Sequence, residues 1–341
     1  MQDVTLVGID LGKHSFHVHG QNRFGKAVFR KKFSRKQMTE FFATFHACTV
    51  VMEACAGAHY IARQLTAFGH QVKLISPQFV RPFVKSNKND FVDAEAICEA
   101  ATRPSMRFVT PKTESQQTLS ALHRVRESLV HDRVKASNQI HGFLLEFGIS
   151  LSIGHAAIKR LPSALAEHPL PARLVTILER LHAHFKYLDT QISEIDKELN
   201  RQIADDDLAQ RLLTIPGIGT ITASVLASEM GDGKQYRCSR DFAASIGLVP
   251  RQYSTGGRSN LLGISKRGDK NIRRLLVQCA RSYMCRLDRQ TGRLADWVRG
   301  MLMRRHSNVV ACALANKLAR TAWALVTRRV DYCPGAITMT G

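Results

Sequence analysis

Two apolar runs near the start of the chain each stop on a carboxylate: Val7-Gly8-Ile9 ends at Asp10, and Val50-Val51-Met52 ends at Glu53. Each run reads as a β-strand, so each acid stands at a strand end. Two more acids, Asp90 and Asp93, lie three apart in Asn89-Asp90-Phe91-Val92-Asp93, at what reads as a helix start, and this spacing puts both on one helix face. Acids at strand ends and on a helix turn are what a divalent-metal site needs, because Mg²⁺ prefers hard oxygen ligands and sheds its water reluctantly. Two such ions about 3.5–4 Å apart can clamp the attacking and leaving oxygens of a phosphodiester. Any one of these acids alone reads as a cap or a surface charge. Four together, two of them closing apolar strands, point to metal.

Around these acids, strand-like and helix-like runs alternate through the first hundred residues. Strands are expected over 4–9, 15–20, 27–33, 49–53 and 71–75, and helices over 36–46, 57–68 and 90–101. Three strands in succession followed by α/β alternation is the order of an α/β RNase H-like fold, a mixed central sheet with flanking helices.

The charge balance bears on the substrate. Lys and Arg number 49 against 28 Asp and Glu, a formal net charge of +21, with aromatic residues at only 7%. Such an excess suits a polyanion. It is also uneven: residues 1–112 carry 16 basic and 8 acidic side chains, residues 113–207 carry 11 and 13, and residues 208–341 carry 22 and 7. The basic ends are expected to hold nucleic acid and the near-neutral middle to hold protein. The eight cysteines show neither a CxxC pair nor Cys/His ligand spacing, which reads as reduced thiols of a cytoplasmic protein. No signal-peptide pattern is expected at the front, and no run approaches the ~18 apolar residues of a membrane span.

From Leu119 the rhythm changes. Leu119, Leu122, Arg126, Leu129, Arg133, Ala136, Ile140, Phe143 and Phe147 step by threes and fours, and a second run of this kind covers 174–199. Two long helices are expected, as an antiparallel hairpin or a dimerising coiled coil. Arg126 and Arg133 on the seam are odd for a closed core. They snorkel, pair with acids such as Glu127 or Asp132 of a partner helix, or contact nucleic acid.

Beyond Asp205-Asp206-Asp207, the segment Leu212-Leu213-Thr214-Ile215-Pro216-Gly217-Ile218-Gly219-Thr220 has the form of a helix-hairpin-helix. The glycines Gly217 and Gly219 would let backbone amides approach a phosphate at a helix N-terminus, binding duplex backbone without reading bases. A tight turn without a ligand is the plainer reading, and the basic surroundings weigh for DNA. Farther on, the polar loop Ser254-Thr255-Gly256-Gly257 lies between Arg251 and Arg258. Lys266, Arg267, Lys270 and Arg273 follow. A hydroxyl among cations could act as a nucleophile whose developing charge guanidinium groups stabilise. Loops of this composition more often grip phosphate, and spacing alone leaves that choice open.

These residues match a known pattern. Gly8-Ile9-Asp10, Met52-Glu53-Ala54 and Asp90-Phe91-Val92-Asp93-Ala94 resemble the RuvC-like DEDD domain of insertion-sequence transposases related to the Piv-type DNA invertases. Ile215-Pro216-Gly217-Ile218-Gly219 through Gly263-Ile264-Ser265-Lys266-Arg267-Gly268-Asp269 resembles their transposase domain. Both halves occur in the expected order and cover nearly the whole chain. The resemblance implies a site-specific recombinase guided by a short non-coding RNA (a bridge or seeker RNA) that pairs with donor and target DNA. It implies Mg²⁺, with Mn²⁺ as the alternative, held by Asp10, Glu53, Asp90 and Asp93. It also implies a serine that forms a covalent phosphoserine link to the cut strand, which falls on Ser254, with Thr255 in the adjacent place. The organisation expected is a RuvC-like catalytic domain over 1–112, a helical coiled-coil assembly region over 113–207 and a mainly α transposase domain over 208–341. The protein is expected to act as a homo-oligomer, a dimer that becomes a tetramer in synapsis, on the bacterial nucleoid. A water-using RuvC-like nuclease and a non-catalytic DNA-architectural protein are the two rivals.

Overall fold

The structure, a computed structural model, describes residues 3–84 and 89–334. It divides into two compact units, Met1–Ser115 and Gln116–Gly341, and the expected middle segment 113–207 falls almost wholly in the second.

The first unit is built on a six-stranded sheet. In chain order its elements are β1 (Val4–Leu11), β2 (Ser15–Asn22), β3 (Ala27–Ser34), α1 (Arg35–Thr44), β4 (Thr49–Glu53), α2 (Ala58–Ala67), β5 (Gln71–Ile75), the single turn α3 (Pro77–Val80), α4 (Asp90–Ala101) and the two-residue β6 (Phe108–Val109). The strands lie in the order β3-β2-β1-β4-β5-β6, antiparallel from β1 to β3, parallel across β1, β4 and β5, and antiparallel at β6. The mixed α/β sheet read from the sequence is present, with most element ends within one or two residues of expectation.

Two layers cover the sheet because β4 is apolar on both faces. Val50 and Met52 join Met38, Phe42, Ile61 and Leu65 of α1 and α2 in one core. Val51, pointing the other way, joins Ile75 and the α4 residues Ala96, Ile97 and Ala100 in another. Each fully buried Val, Leu, Ile, Phe or Met among them is worth about 1.5–3 kcal/mol. At one edge β3 exposes Arg30 and Lys32, and Lys31 lies over the Phe29 and Phe41 rings.

The second unit is helical. It contains α5 (Glu114–Leu145), the short α6 (His155–Lys159) and α7 (Leu161–Ala166), α8 (Ala172–Ala204), α9 (Asp207–Leu213), α10 (Thr220–Met230), α11 (Ser239–Ser245), the hairpin strands β7 (Pro250–Gln252) and β8 (Leu261–Ile264), α12 (Lys270–Cys285), α13 (Arg293–Leu302) and α14 (Ser307–Arg328). The long helices α5 and α8 run antiparallel. Arg126 on α5 pairs with Asp196 on α8 at 2.5 Å, and Arg133 pairs with Asp189 at 2.5 Å. The two seam arginines therefore bind acids of their own chain, while Glu127 pairs with Arg274 of α12. At the far end the pair is closed by apolar contacts among Ile140, Leu144, Leu178 and Phe185.

Helix α14 bears on the expectation that no run suits a membrane span. Its 22 residues are long and apolar enough to cross a membrane by length and composition. Leu314, Leu318, Ala322 and Leu325 instead pack into the core formed with α9–α12, so its apolarity serves the interior of this unit.

Candidate active site

Three local features bring the front acids together. First, β1 and β4 are parallel neighbours with Ile9 opposite Met52, so Asp10 and Glu53 are the next residues at the same end of adjacent strands. Second, Gly12 closes the β1–β2 turn, its amide donating to the Ser15 carbonyl at 3.1 Å, where a Cβ on Gly12 would stand 2.4 Å from that oxygen. That turn sets Asp10 opposite His17 in the antiparallel register. Third, α4 starts beside this end of the sheet. The Asn89 side chain caps it by accepting from the Phe91 amide at 3.0 Å, and Asp90 and Asp93 occupy the first turn. Carboxylates are stabilised there by the unpaired amides of the helix start.

The outcome is one polar cluster. Ligand atoms of Asp10, His17 and Asp90 all lie within 4.8 Å of one another, with His17 Nδ1 3.4 Å from Asp90 Oδ2. Glu53 belongs to the same field. Its carboxyl is held above the ordinary value by burial first, then by the negative charges of Asp10 and Asp93. The Cys55 thiol beside it is pushed up by burial and by the same acids, Glu53 and Asp10. Asp10 and Asp90 meet in this group, while Glu53 is tied to Asp10 and Asp93 by their charges; carboxylates so placed repel one another, and a divalent cation would offset that repulsion. Oxygen donors from Asp and Glu fit a hard divalent cation.

The sequence reading missed His17. It sits on β2 with His19 and Gln21 at alternate positions, which looks like the wet side of a half-buried strand, yet all three are buried under α4. The signal was present in the turn: a short connection through Gly12 folds β2 back so that position 17 opposes position 10.

In the second unit, Ser254 lies on the hairpin between β7 and β8. Thr255 and Arg258 pair across Gly256 and Gly257, whose φ angles are +55° and +75°. Positive φ at both central residues is the geometry of a type I′ turn, which favours glycine at both places. Ser254 Oγ accepts a hydrogen bond from Gln252 Nε2 at 2.8 Å, and Arg251, Ser254, Thr255 and Arg258 are all exposed.

The other expected nucleic-acid residues divide by environment. Lys266, Arg267 and Lys270 are exposed. Arg273 is engaged in the fold, its Nη1 donating to the carbonyls of Ile246 and Arg267, both at 2.9 Å. Gly247 and Gly268 let this turn lie against the end of α11, since a Cβ on Gly268 would reach 1.6 Å from the Ser245 carbonyl. Gly217, at φ +87°, turns the chain between α9 and α10, with Ile215 and Ile218 buried on either side. Gly219 precedes α10, and nothing lies within 4 Å of its Cβ position. Both glycines border a cleft of about 660 Å³ also lined by Arg126, Arg133, Asn271 and Arg274.

Comparison with known proteins covers both units. Residues 7–149 match a family described as Transposase, of the IS110 DEDD type, and contain all four acids. Residues 209–295 match the Transposase IS116/IS110/IS902 family and contain Ser254. The chain is 68% identical over 328 residues to the transposase for insertion sequence element IS1328 of Yersinia enterocolitica, covering 96% of this chain and 98% of the relative. It is 39% identical over 339 residues to the transposase for insertion sequence element IS1111A of Coxiella burnetii, with coverage of 98% and 93%. The pilin gene-inverting protein of Moraxella bovis is 23% identical over 295 residues, with coverage of 81% and 82%.

Proposed function

The chain belongs to the IS116/IS110/IS902 family of transposases, and from that premise we propose that it moves its own insertion sequence as an RNA-guided recombinase, cutting DNA with the Ser254 hydroxyl at a metal centre held by Asp10, Glu53, Asp90 and Asp93. As a transposase it is an enzyme that cleaves and rejoins DNA. What supports the metal centre is the convergence of Asp10 and Asp90, with the Glu53 carboxyl pushed up by burial first and then by the charges of Asp10 and Asp93. Three antiparallel strands leading into parallel ones, with α4 laid across β1, support reading the first unit as RNase H-like and RuvC-like.

Bound Mg²⁺, or Mn²⁺ in its place, would polarise the scissile phosphate and stabilise the charge that develops on it. The chain's own part is to supply nucleophile and ligands. Ser254 Oγ forms the new O–P bond while the strand's P–O bond breaks. The serine proton departs to a base outside the hairpin, because the amide of Gln252 accepts none, and the leaving oxygen takes up a proton. The phosphoserine ester keeps the bond energy, so a second DNA end can displace the serine without a high-energy cofactor.

The exposed cations Arg251, Arg258, Lys266, Arg267 and Lys270 suit a DNA backbone, and the glycine turn at Gly217 and Gly219 suits a helix-hairpin-helix contact with phosphate. The guide RNA would use the rest of the +21 charge, and its pairing with donor and target DNA would carry target sequence. Helices α5 and α8 would assemble the dimer and the tetramer of synapsis, acting in the cytoplasm at the nucleoid.

The test is a suicide DNA substrate with guide RNA and Mg²⁺, read on a denaturing gel with peptide mass mapping. The wild type is expected to give a covalent adduct at Ser254, Ser254→Ala none, and Thr255→Ala an adduct at reduced yield. An adduct on Thr255 moves the nucleophile by one residue. Strand cutting with no adduct in the wild type replaces the serine with water and makes the protein a RuvC-like nuclease in its chemistry.

A further inference from the structure

We propose that His17 is a nitrogen ligand of the metal centre, binding through Nδ1 alongside Asp10 and Asp90; this rests on the acids being metal ligands. Four observations place the ring. His17 is the register partner of Asp10, so both side chains leave the same face of the β1–β2 hairpin. The ring is buried at 5% exposure, and Phe91, the residue after Asp90, meets it edge-on at a centroid distance of 4.8 Å and 77°. Its Nδ1 stands 3.4 Å from Asp90 Oδ2. That separation is longer than a good N–H···O bond and within the span that two ligands about 2.0–2.2 Å from one ion can bridge. Finally, one ligand atom each from Asp10, His17 and Asp90 fits within 4.8 Å.

His17 differs from the imidazole two residues on. His19 is already engaged, by Arg30 Nε at 3.3 Å and by Gln21 Nε2 at 3.2 Å, and Arg30 is itself paired with Glu95 of α4 at 2.6 Å. The β2 face thus holds α4 by polar contacts along the helix and offers a nitrogen only at the end where the acids gather. A neutral imidazole favours Mn²⁺ over Mg²⁺, because Mg²⁺ discriminates more strongly for oxygen. The consequence is a site tuned toward manganese.

The experiment is pulsed electron paramagnetic resonance of Mn²⁺ added to the full-length protein without nucleic acid, with Mn²⁺ affinity by titration calorimetry. Wild type is expected to show ¹⁴N coupling from a directly bound imidazole. His17→Gln is expected to lose that coupling and to bind Mn²⁺ at least about tenfold more weakly, with a smaller loss for Mg²⁺. His19→Gln, the matched variant on the same strand, should keep the coupling. Mn²⁺ bound by wild type with oxygen ligands alone overturns the proposal while leaving the acidic centre intact, and needs no variant to fold. Coupling that survives His17→Gln overturns it as well. Wild type that binds no Mn²⁺ at all defeats the acidic metal centre, and this proposal with it.

Discussion

Gly8 of β1 lies directly beneath Ala94 of α4: a Cβ on Gly8 would stand 2.3 Å from the Ala94 carbonyl oxygen and 2.7 Å from Cys98 Sγ. Glycine at this strand position is what lets the helix bearing Asp90 and Asp93 settle onto the strand bearing Asp10. Gly8→Ala is therefore expected to lift α4, cost about 1–3 kcal/mol of stability, and weaken divalent-metal binding although no ligand is changed. Urea denaturation and Mn²⁺ titration read the two effects. Wild-type metal affinity in this variant would show that the helix need not seat so closely.

The raised Glu53 carboxyl carries a sign that can be measured. Because its folded value lies above the unfolded one, its stabilising contribution is full below the ordinary carboxyl range and is lost as pH rises through the raised value. Metal-free protein should thus lose stability across that rise, and Asp10→Asn, which removes one of the repelling charges, should reduce the loss. Added Mg²⁺ should restore stability to wild type and little to Asp10→Asn, with DNA cleavage abolished in the variant. Thermal unfolding at several pH values, with and without chelator, checks all three outcomes.

His123 of α5 gives the second unit an acid limit. Its Nε2 lies 2.7 Å from Ser224 Oγ of α10, and burial, assisted by Arg126, lowers its pKa to about 4. A histidine depressed in this way is more easily protonated unfolded than folded. Stability is full above about 6.5 and falls as pH drops toward 4, by up to roughly 3 kcal/mol. His123→Gln should flatten that part of the stability curve. An unchanged slope between pH 6.5 and 4 in the variant would move the effect to other groups.

Guide RNA is expected to bind with a steep salt dependence, since neutralising phosphates releases counterions. Replacing Lys266, Arg267 and Lys270 together with Ala should lower the log–log salt slope for nucleic acid by up to about 3, near one for each lost contact. Fluorescence anisotropy between 50 and 300 mM salt, on the order of the range where such slopes are read, measures it. A slope unchanged in the triple variant would show that these cations face no phosphate.

The acids were legible because strand ends and helix starts leave strong marks: an apolar run stopping on Asp10 or Glu53, and Asn89 ahead of Asp90. The seating of α4 over β1 was not, since it depends on Gly8, whose role shows only once β1 has neighbours. The seam arginines show a related difficulty. Arg126 and Arg133 are seven apart, as are Asp189 and Asp196, and they pair in opposite order along antiparallel helices. Sequence reading looked to acids nearer at hand, Glu127 and Asp132, because nothing local says which distant helix will lie alongside. The hairpin turn at Gly256-Gly257 was legible as a polar loop and proved to be a specific two-residue turn.

The six-stranded sheet ends in two places that refuse another strand. On one side β3 presents the exposed Lys32 beside the ion pair of Arg30 with Glu95, and on the other β6 is only two residues long. An open edge normally invites a second chain to add its own strand, and charge or brevity blocks that route. Copies of this protein gathered at high local concentration on one nucleic acid would then resist sticking sheet to sheet, leaving side-chain-specific surfaces to decide which copies associate and when they part.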